Sequence, residues 1–336
     1  MKFKLLFLSL SFFSSLLAIN NCSPTEFYGK VLYLQPNSSN LYYGAEALPL
    51  PVPTPNWKSL EIRPDFHFGF EVGVTTYSVC PNARLQLSWE HLHSSDSSSI
   101  RVSEENMVGP YFNIGPDAHP YKIAHGHATH EFDAVNLNLG NQFTCCNGLK
   151  ADWFAGVSFT RIKQSITSDF SNYEGTITRN IETPSMFIGA GPELGLDFTY
   201  HLCNNFSLVS DNSCSLLVGT IKNHTTYKSN TPLLAGLGIT PPNTQETDVP
   251  NRTQIVPAFF GSLGLSYATC YCNHAINVDI GYQVQAYLNA IQSVDMSSEV
   301  TTPPEDAEVG VYALGFRRTL SNFVLAGPFV KLSVGF

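Results

Sequence analysis

The stretch "AINVDIGYQVQAYLNAI", residues 275–291, decides the fold. Ile276, Val278, Ile280, Tyr282, Val284, Ala286 and Leu288 fall on one side of an alternation. Asn277, Asp279, Gly281, Gln283, Gln285 and Asn289 fall on the other. A period of two is the mark of an extended strand with two unlike faces, whereas an amphipathic helix spaces its apolar residues by three and four. The final segment, "AGPFVKLSVGF", repeats the pattern: Pro328, Val330, Leu332, Val334 and Phe336 oppose Phe329, Lys331, Ser333 and Gly335.

The same dyad runs through 149–159, 192–200, 66–74, 85–89 and 135–143. It is weaker in 257–267 and weakest in 27–34 and 215–227. Most clear segments approach the ~9–11 residues with which a tilted strand crosses a bilayer. Strands of water-soluble sandwiches are shorter, commonly about 5–6 residues. Turning the apolar face outward gives a transmembrane barrel with a polar interior.

The connections alternate in length. Residues 35–64, 94–129, 229–253 and 292–323 are long, and 168–184 are intermediate. Residues 78–82, 145–148 and 270–274 are short, and a compact stretch holds Cys203 to Cys214. Short turns at one end and long loops at the other are the pattern of an outer-membrane barrel. Ten antiparallel strands are expected, an even number that returns the last strand beside the first. Twelve are counted if 174–182 and 310–317 form an extra hairpin.

Composition agrees. The chain has 336 residues, of which 13% are charged and 12% aromatic, with a net charge of −9. Soluble domains carry about 25% charge, whereas a lipid-facing wall carries almost none. The acidic balance argues against a nucleic-acid partner. Residues 1–18, "MKFKLLFLSLSFFSSLLA", have a basic start and an apolar run and read as a signal peptide, leaving 19–336 as one barrel domain. Export permits disulfides.

Eight cysteines follow, and pairing does not follow from their count. Cys22 precedes the first strand. Cys80, then Cys145 and Cys146, then Cys270 and Cys272, occupy short turns, and Cys203 and Cys214 bracket another. All eight are expected on the periplasmic side. They serve either as intramolecular pins, with Cys203–Cys214 closing a short loop, or as cross-links to neighbouring envelope proteins. The adjacent pair Cys145 and Cys146 is the best candidate for an intermolecular bridge, since bonding between neighbours is strained. No spaced CxxC pair of a zinc site is present.

The polar side of the strands carries Glu71, Arg84, Glu90, Lys150, Asp152, Glu193, Asp197, Asp279 and Lys331, six acids and three bases. These nine are expected to face the lumen. There they form either a side-chain plug or a narrow water-filled pore favouring cations or polar solutes. The stretch 117–133 holds His119, His125, His127 and His130 and reads as a surface loop rather than a metal site. An Asp133–His130 pair for activating water is unmarked by any motif. No nucleotide, cofactor or hydrolase motif occurs, so neither enzyme activity nor a cofactor is expected. The apolar connections 47–55 and 232–242 could pack at the mouth or touch a host surface, as in an adhesin.

"GKVLYLQPNSSNLYY", Trp57 ahead of "FHFGFEVGV", and the final "GPFVKLSVGF" together resemble the Legionella major outer membrane protein-like family, whose members in chlamydia-related bacteria are called MOMP-like. The resemblance implies an abundant outer-membrane barrel, often regarded as a porin and sometimes held in disulfide-linked complexes with other cysteine-rich envelope proteins. It also implies that Val330, Leu332, Val334 and Phe336 form the signal read by the barrel-assembly machinery, with outer-membrane lipid as the surrounding partner. Ten strands depart from the ~16–18 of large porins, which puts a wide channel in doubt. Solute, disulfide pairing and a homo-oligomeric state are not legible in the sequence.

Overall fold

A computed structural model describes residues 25–48, 56–77, 83–110, 121–146, 148–203, 205–230, 243–271, 274–301 and 310–336. The segment 1–18, Cys22, Cys80 and Cys272 lie outside the described residues. The wall is built from β1 (Thr25–Ser38), β4 (His67–Thr76), β5 (Ala83–Arg101), β7 (Ile123–Cys146), β8 (Leu149–Ser171), β9 (Thr178–Cys203), β10 (Phe206–Ser229), β11 (Asn243–Tyr271), β12 (His274–Thr301) and β13 (Gly310–Gly335). These ten antiparallel strands close as a barrel in the order β1-β13-β12-β11-β10-β9-β8-β7-β5-β4. A separate sheet of β3 (Asn56–Glu61), β2 (Tyr42–Leu48) and β6 (Met107–Gly109) accompanies it.

Closure joins the first strand to the last. Thr25 and Phe336 exchange backbone hydrogen bonds of 3.3 and 2.9 Å, and β1 runs along β13 from Glu26–Gly335 to Ser38–Phe323. The rungs can be followed round the wall from Thr253 through Thr220, Ile188, Arg161, Asp133, His91, Phe70, Val31, Val330 and Ile280. The path returns to β11 at Leu265, twelve residues along. That stagger means tilted strands and, with ten of them, a narrow lumen.

The outward positions make an apolar band. Val31, Val72, Leu137, Val157, Leu194, Leu263, Ile280, Val330 and Leu332 are all exposed, at 45–59%. Such exposure would be costly in water and is expected against lipid. Phe336 is 65% exposed at the rim. On β7 the band runs over Val135–Phe143. Just above it, Arg161 pairs with Glu131 (3.1 Å) and Asp133 (3.3 Å), and Lys163 pairs with Glu131 (2.9 Å).

Three expectations are corrected. First, the long connections are largely strand: β5 runs on to Arg101 and β7 starts at Ile123, so the wall continues well above the band. The outward positions of that rim are not lipid-facing, so they need not be apolar and the alternation fades there. Second, 178–182 and 310–317 are the upper parts of β9 and β13, and the three additional strands come instead from 42–48, 56–61 and 107–109. Third, Cys214 is not in a turn. It pairs with Leu194 and Phe259 on β10, exposed on the outer face, and a Cys203–Cys214 bridge is out of reach. The rung Phe206–Cys203 sits at the turn, eight residues below Cys214 on β10, and each strand residue advances ~3.3 Å.

Candidate functional site: the lumen

The interior is layered. The lower layer is a polar vestibule of about 450 Å³. All nine charged residues expected in the lumen line it: Glu71, Arg84, Glu90, Lys150, Asp152, Glu193, Asp197, Asp279 and Lys331. Glu26, Lys30 and Asp211 join them, giving eight carboxylates and four bases. These three were missed because β1 alternates weakly and because "SLVSDNSC" around Asp211 is polar on both faces.

Pairing inside the vestibule is extensive but incomplete. Lys30 meets Glu71 at 3.4 Å and stands 4.2 Å from the Phe329 ring centroid. Arg84 bonds Asp152 (3.3 Å) and Asp197. Lys331 approaches Asp279 at 3.9 Å, and Tyr28 donates to Glu71 at 2.8 Å. One oxygen each of Asp152 and Asp279 is buried without a partner among the described residues. A charge taken out of water needs a partner or retained water, and this layer has the acid excess and the space for cations or polar solutes.

Above the vestibule the lumen is crossed. Glu90 on β5 accepts hydrogen bonds of 2.7 and 2.8 Å from Gln285 on β12. Over them lies an apolar layer of Leu32, Leu92, Phe132, Ile162, Phe187, Leu217, Val256, Tyr287, Ile291, Phe323 and Leu325. β7 and β12 are five strands apart either way round, yet the Phe132 and Tyr287 rings sit 5.5 Å apart, and Phe132 and Phe323 sit 6.2 Å apart. At that separation the rings are in contact, so side chains from opposite walls meet across the lumen. The sequence carried a faint signal: "NFVLAGPF" is apolar on both faces, with Phe323, Leu325 and Phe329 at inward positions.

A second polar layer lies above the septum and beyond the lipid band. His130 bonds Ser94 (3.1 Å) and Gln164 (3.0 Å), and Gln164 donates to Ser38 (2.7 Å). Burial pushes the His130 imidazole down to about 4, opposed by the nearby Asp96. His67 bonds Asp96 at 2.9 Å. The paired partner of Asp133 is His91, at 2.8 Å on the outer face, not His130. Among the described residues no group of three or more His, Cys, Asp or Glu side chains could hold a metal.

The β7–β8, β9–β10 and β11–β12 ends share the side of the barrel at which Thr25 meets Phe336. Cys203 and Cys270 are exposed there. Cys146 pairs with Leu149 across a turn in which Gly148 has φ +86°, a conformation that favours glycine. The side chains of Cys145 and Cys146 lie outside the described residues.

A family model described as "Legionella pneumophila major outer membrane protein precursor" matches residues 20–336. No curated protein matches the chain. Among solved structures, the outer membrane protease OmpT from Escherichia coli is 10% identical with a TM-score of 0.46, over 95% of this chain and 99% of that one. A major outer membrane protein from Thermus thermophilus is 9% identical with a TM-score of 0.30, over 94% and 100%. The Pseudomonas putida toluene transporter TodX is 7% identical with a TM-score of 0.30, over 94% and 91%. At such identities no residue role transfers.

Proposed function

The chain belongs to the Legionella major outer membrane protein family, and from that premise we propose a porin-like outer-membrane barrel that rests closed. Small polar solutes, cations foremost, enter the acid-rich vestibule from the periplasmic end and pass only when the septum parts. The contact of Phe132 with Tyr287 across the lumen carries the closed state. The eight carboxylates against four bases support the choice of solute. A structural role accompanies passage: the exposed thiols of Cys203 and Cys270 at the periplasmic rim are placed for bridges to other envelope proteins.

Planar-bilayer recording from the purified full chain tests passage. The native barrel is expected to show no steady conductance. A Phe132→Ala, Phe323→Ala double variant, checked for folding by gel mobility before and after heating, is expected to conduct cations steadily. Steady current through the native barrel overturns the closed rest state. A folded but silent double variant overturns passage and leaves a plugged structural barrel. For the thiols, a high-mass species in non-reducing gels of intact envelopes, lost on reduction, is expected; a monomer under both conditions removes the cross-linking role.

A further inference from the structure

β11 and β12 are paired from Tyr271–His274 up to Ala258–Tyr287 and no further. Above that rung they separate, although both strands continue. β11 keeps its partner β10 as far as Ser229–Asn243, and β12 keeps β13 as far as Thr301–Gly310. The sequence supplies two causes. Pro257 stands next to the last rung and Pro250 lies seven residues above it; neither has an N–H to give to a ladder, so proline suits an edge. On the other strand, Leu288, Asn289 and Ala290 stand opposite the single residue Asn322, between the rungs Tyr287–Phe323 and Ile291–Ser321. Asn289 has φ +58°, the one described non-glycine residue with positive φ, and its N–H bonds the Asn322 side chain at 3.0 Å.

This bulge turns β12 into the lumen. The Gln292 backbone N–H donates to Ser185 Oγ of β9 at 3.0 Å, and its carbonyl accepts from Asn223 Nδ2 of β10 at 3.0 Å. Ala290, Ile291 and Val294 are 1–2% exposed, and Ile291 belongs to the septum. The inward position is nonetheless poorly satisfied. Both side-chain amide atoms of Gln292, Asn223 Oδ1 and Thr225 Oγ1 are buried without partners, and each such group carries a desolvation cost. Among the described residues β11 and β12 share no rung with each other above Ala258–Tyr287, and a strand lacking a neighbour on one side seeks one.

We propose that β12 above Asn289, together with the stretch of β13 paired to it, is a gate hinged at Asn289. Folded inward, it completes the septum with Ala290 and Ile291. Swung outward, it returns β12 to the line of the wall beside β11, where the two strands can take rungs with each other, and it withdraws these two residues from the lumen. Bonds lost to Ser185 and Asn223 are replaced by bonds to β11, and the orphaned amides reach water. The two positions therefore exchange like for like, as a two-state element requires. The proposal rests on the closed-barrel reading and supplies its moving part.

The test is thiol labelling of intact cells with a membrane-impermeant maleimide, comparing Ile291→Cys with Leu41→Cys. Both residues are 1% exposed, but Leu41 belongs to a separate apolar cluster, with Tyr43, Leu60 and Ile62, and not to the septum. The wild-type chain, labelled in parallel, gives the baseline for the native thiols. The gate requires Ile291→Cys to label faster by on the order of tenfold or more, because its protection is lost in a local opening. Ser293→Cys, a half-buried position, serves as a second probe should Ile291→Cys fold poorly. Equal, slow labelling at both gate positions and at Leu41→Cys overturns the gate. Fast labelling of a barrel that never conducts keeps the gate and sinks passage, whereas conductance with equal labelling does the reverse.

Discussion

Above the lipid band the wall is interrupted in two places. Between β1 and β5 the cause is β4, which ends at His67 while its neighbours run on. The chain closes this gap with its own residues. Gln35 donates to the Pro64 carbonyl at 2.6 Å, and the Asp65 N–H donates to Asp96 of β5 at 2.9 Å. Leu41, Tyr43, Leu60 and Ile62 then pack on Ala124, Ala128, Ile166 and Phe170 of the inner wall. The fit is close: a Cβ on Gly126 would stand 2.4 Å from the Tyr43 ring. Between β11 and β12 no described segment lies across the break, and the two strands share no rung above Ala258–Tyr287. The first gap is sealed by a covering sheet on its own apolar core; at the second, among the described residues, β12 folds inward, held by the burial of Ala290, Ile291 and Val294 and by two hydrogen bonds of the Gln292 backbone. Permanence follows the amount of apolar surface buried, since that term dominates the stability of any contact.

Three experiments press on this difference, from the largest effect down. Ile62→Ala, in the cover of the first gap, should lower stability by about 2–5 kcal/mol, read from the heating midpoint of gel mobility. Ile255→Ala, beside the second gap and 55% exposed, should stay within roughly 0.5 kcal/mol. Equal effects would mean that the cover is no more structural than the strand beside the break.

Acid should loosen the first gap next. His130 holds Gln164, and through it Ser38 and Asn40 at the root of the cover. Its folded pKa of about 4 lies below the ordinary value. The fold therefore favours the neutral imidazole, and stability is lost as pH falls from about 6.5 toward 4 while the unfolded chain takes up the proton. At pH 4.5 the loss is roughly 2–3 kcal/mol. His130→Gln should flatten the pH dependence of unfolding, and an unchanged acid profile would remove His130 as its source.

The hinge comes last. Asn289→Val places a β-branched residue at positive φ and should cost about 1–3 kcal/mol, while Asn289→Gly should be close to neutral. Matching midpoints for the two variants would show that the bulge does not depend on that conformation.

How far the molecule was legible depended on what faced lipid. Val330, Leu332 and Phe336, or Ile280, Tyr282 and Val284, announce their outward positions because lipid tolerates little else there. Their inward neighbours Asp279 and Lys331 follow by parity, and all nine charged residues read in this way line the vestibule. Legibility ended at the edge of the band. "SSDSSSI" and "THEFDAV" have no apolar face to alternate, so strand reads as loop. Cys214 was misplaced for a related reason: "DNSCS" carries polar residues at outward positions, and the segment reads as a turn.

By itself the sequence determined a closed antiparallel barrel of ten strands, its lipid face, its acid-rich lumen and the end at which most of its short cysteine-bearing turns gather. Alternation suffices for this, because each strand needs only its own two faces. Whether the lumen is open was decided by tertiary structure alone. Phe132 and Tyr287 lie on strands five places apart, and their contact depends on the barrel's diameter, which arises from strand number and stagger together. The same holds for the break beside β12. Pro257 and Asn289 are visible in the chain, but only the closed wall sets them on facing strands, one ending a ladder and the other turning its neighbour inward.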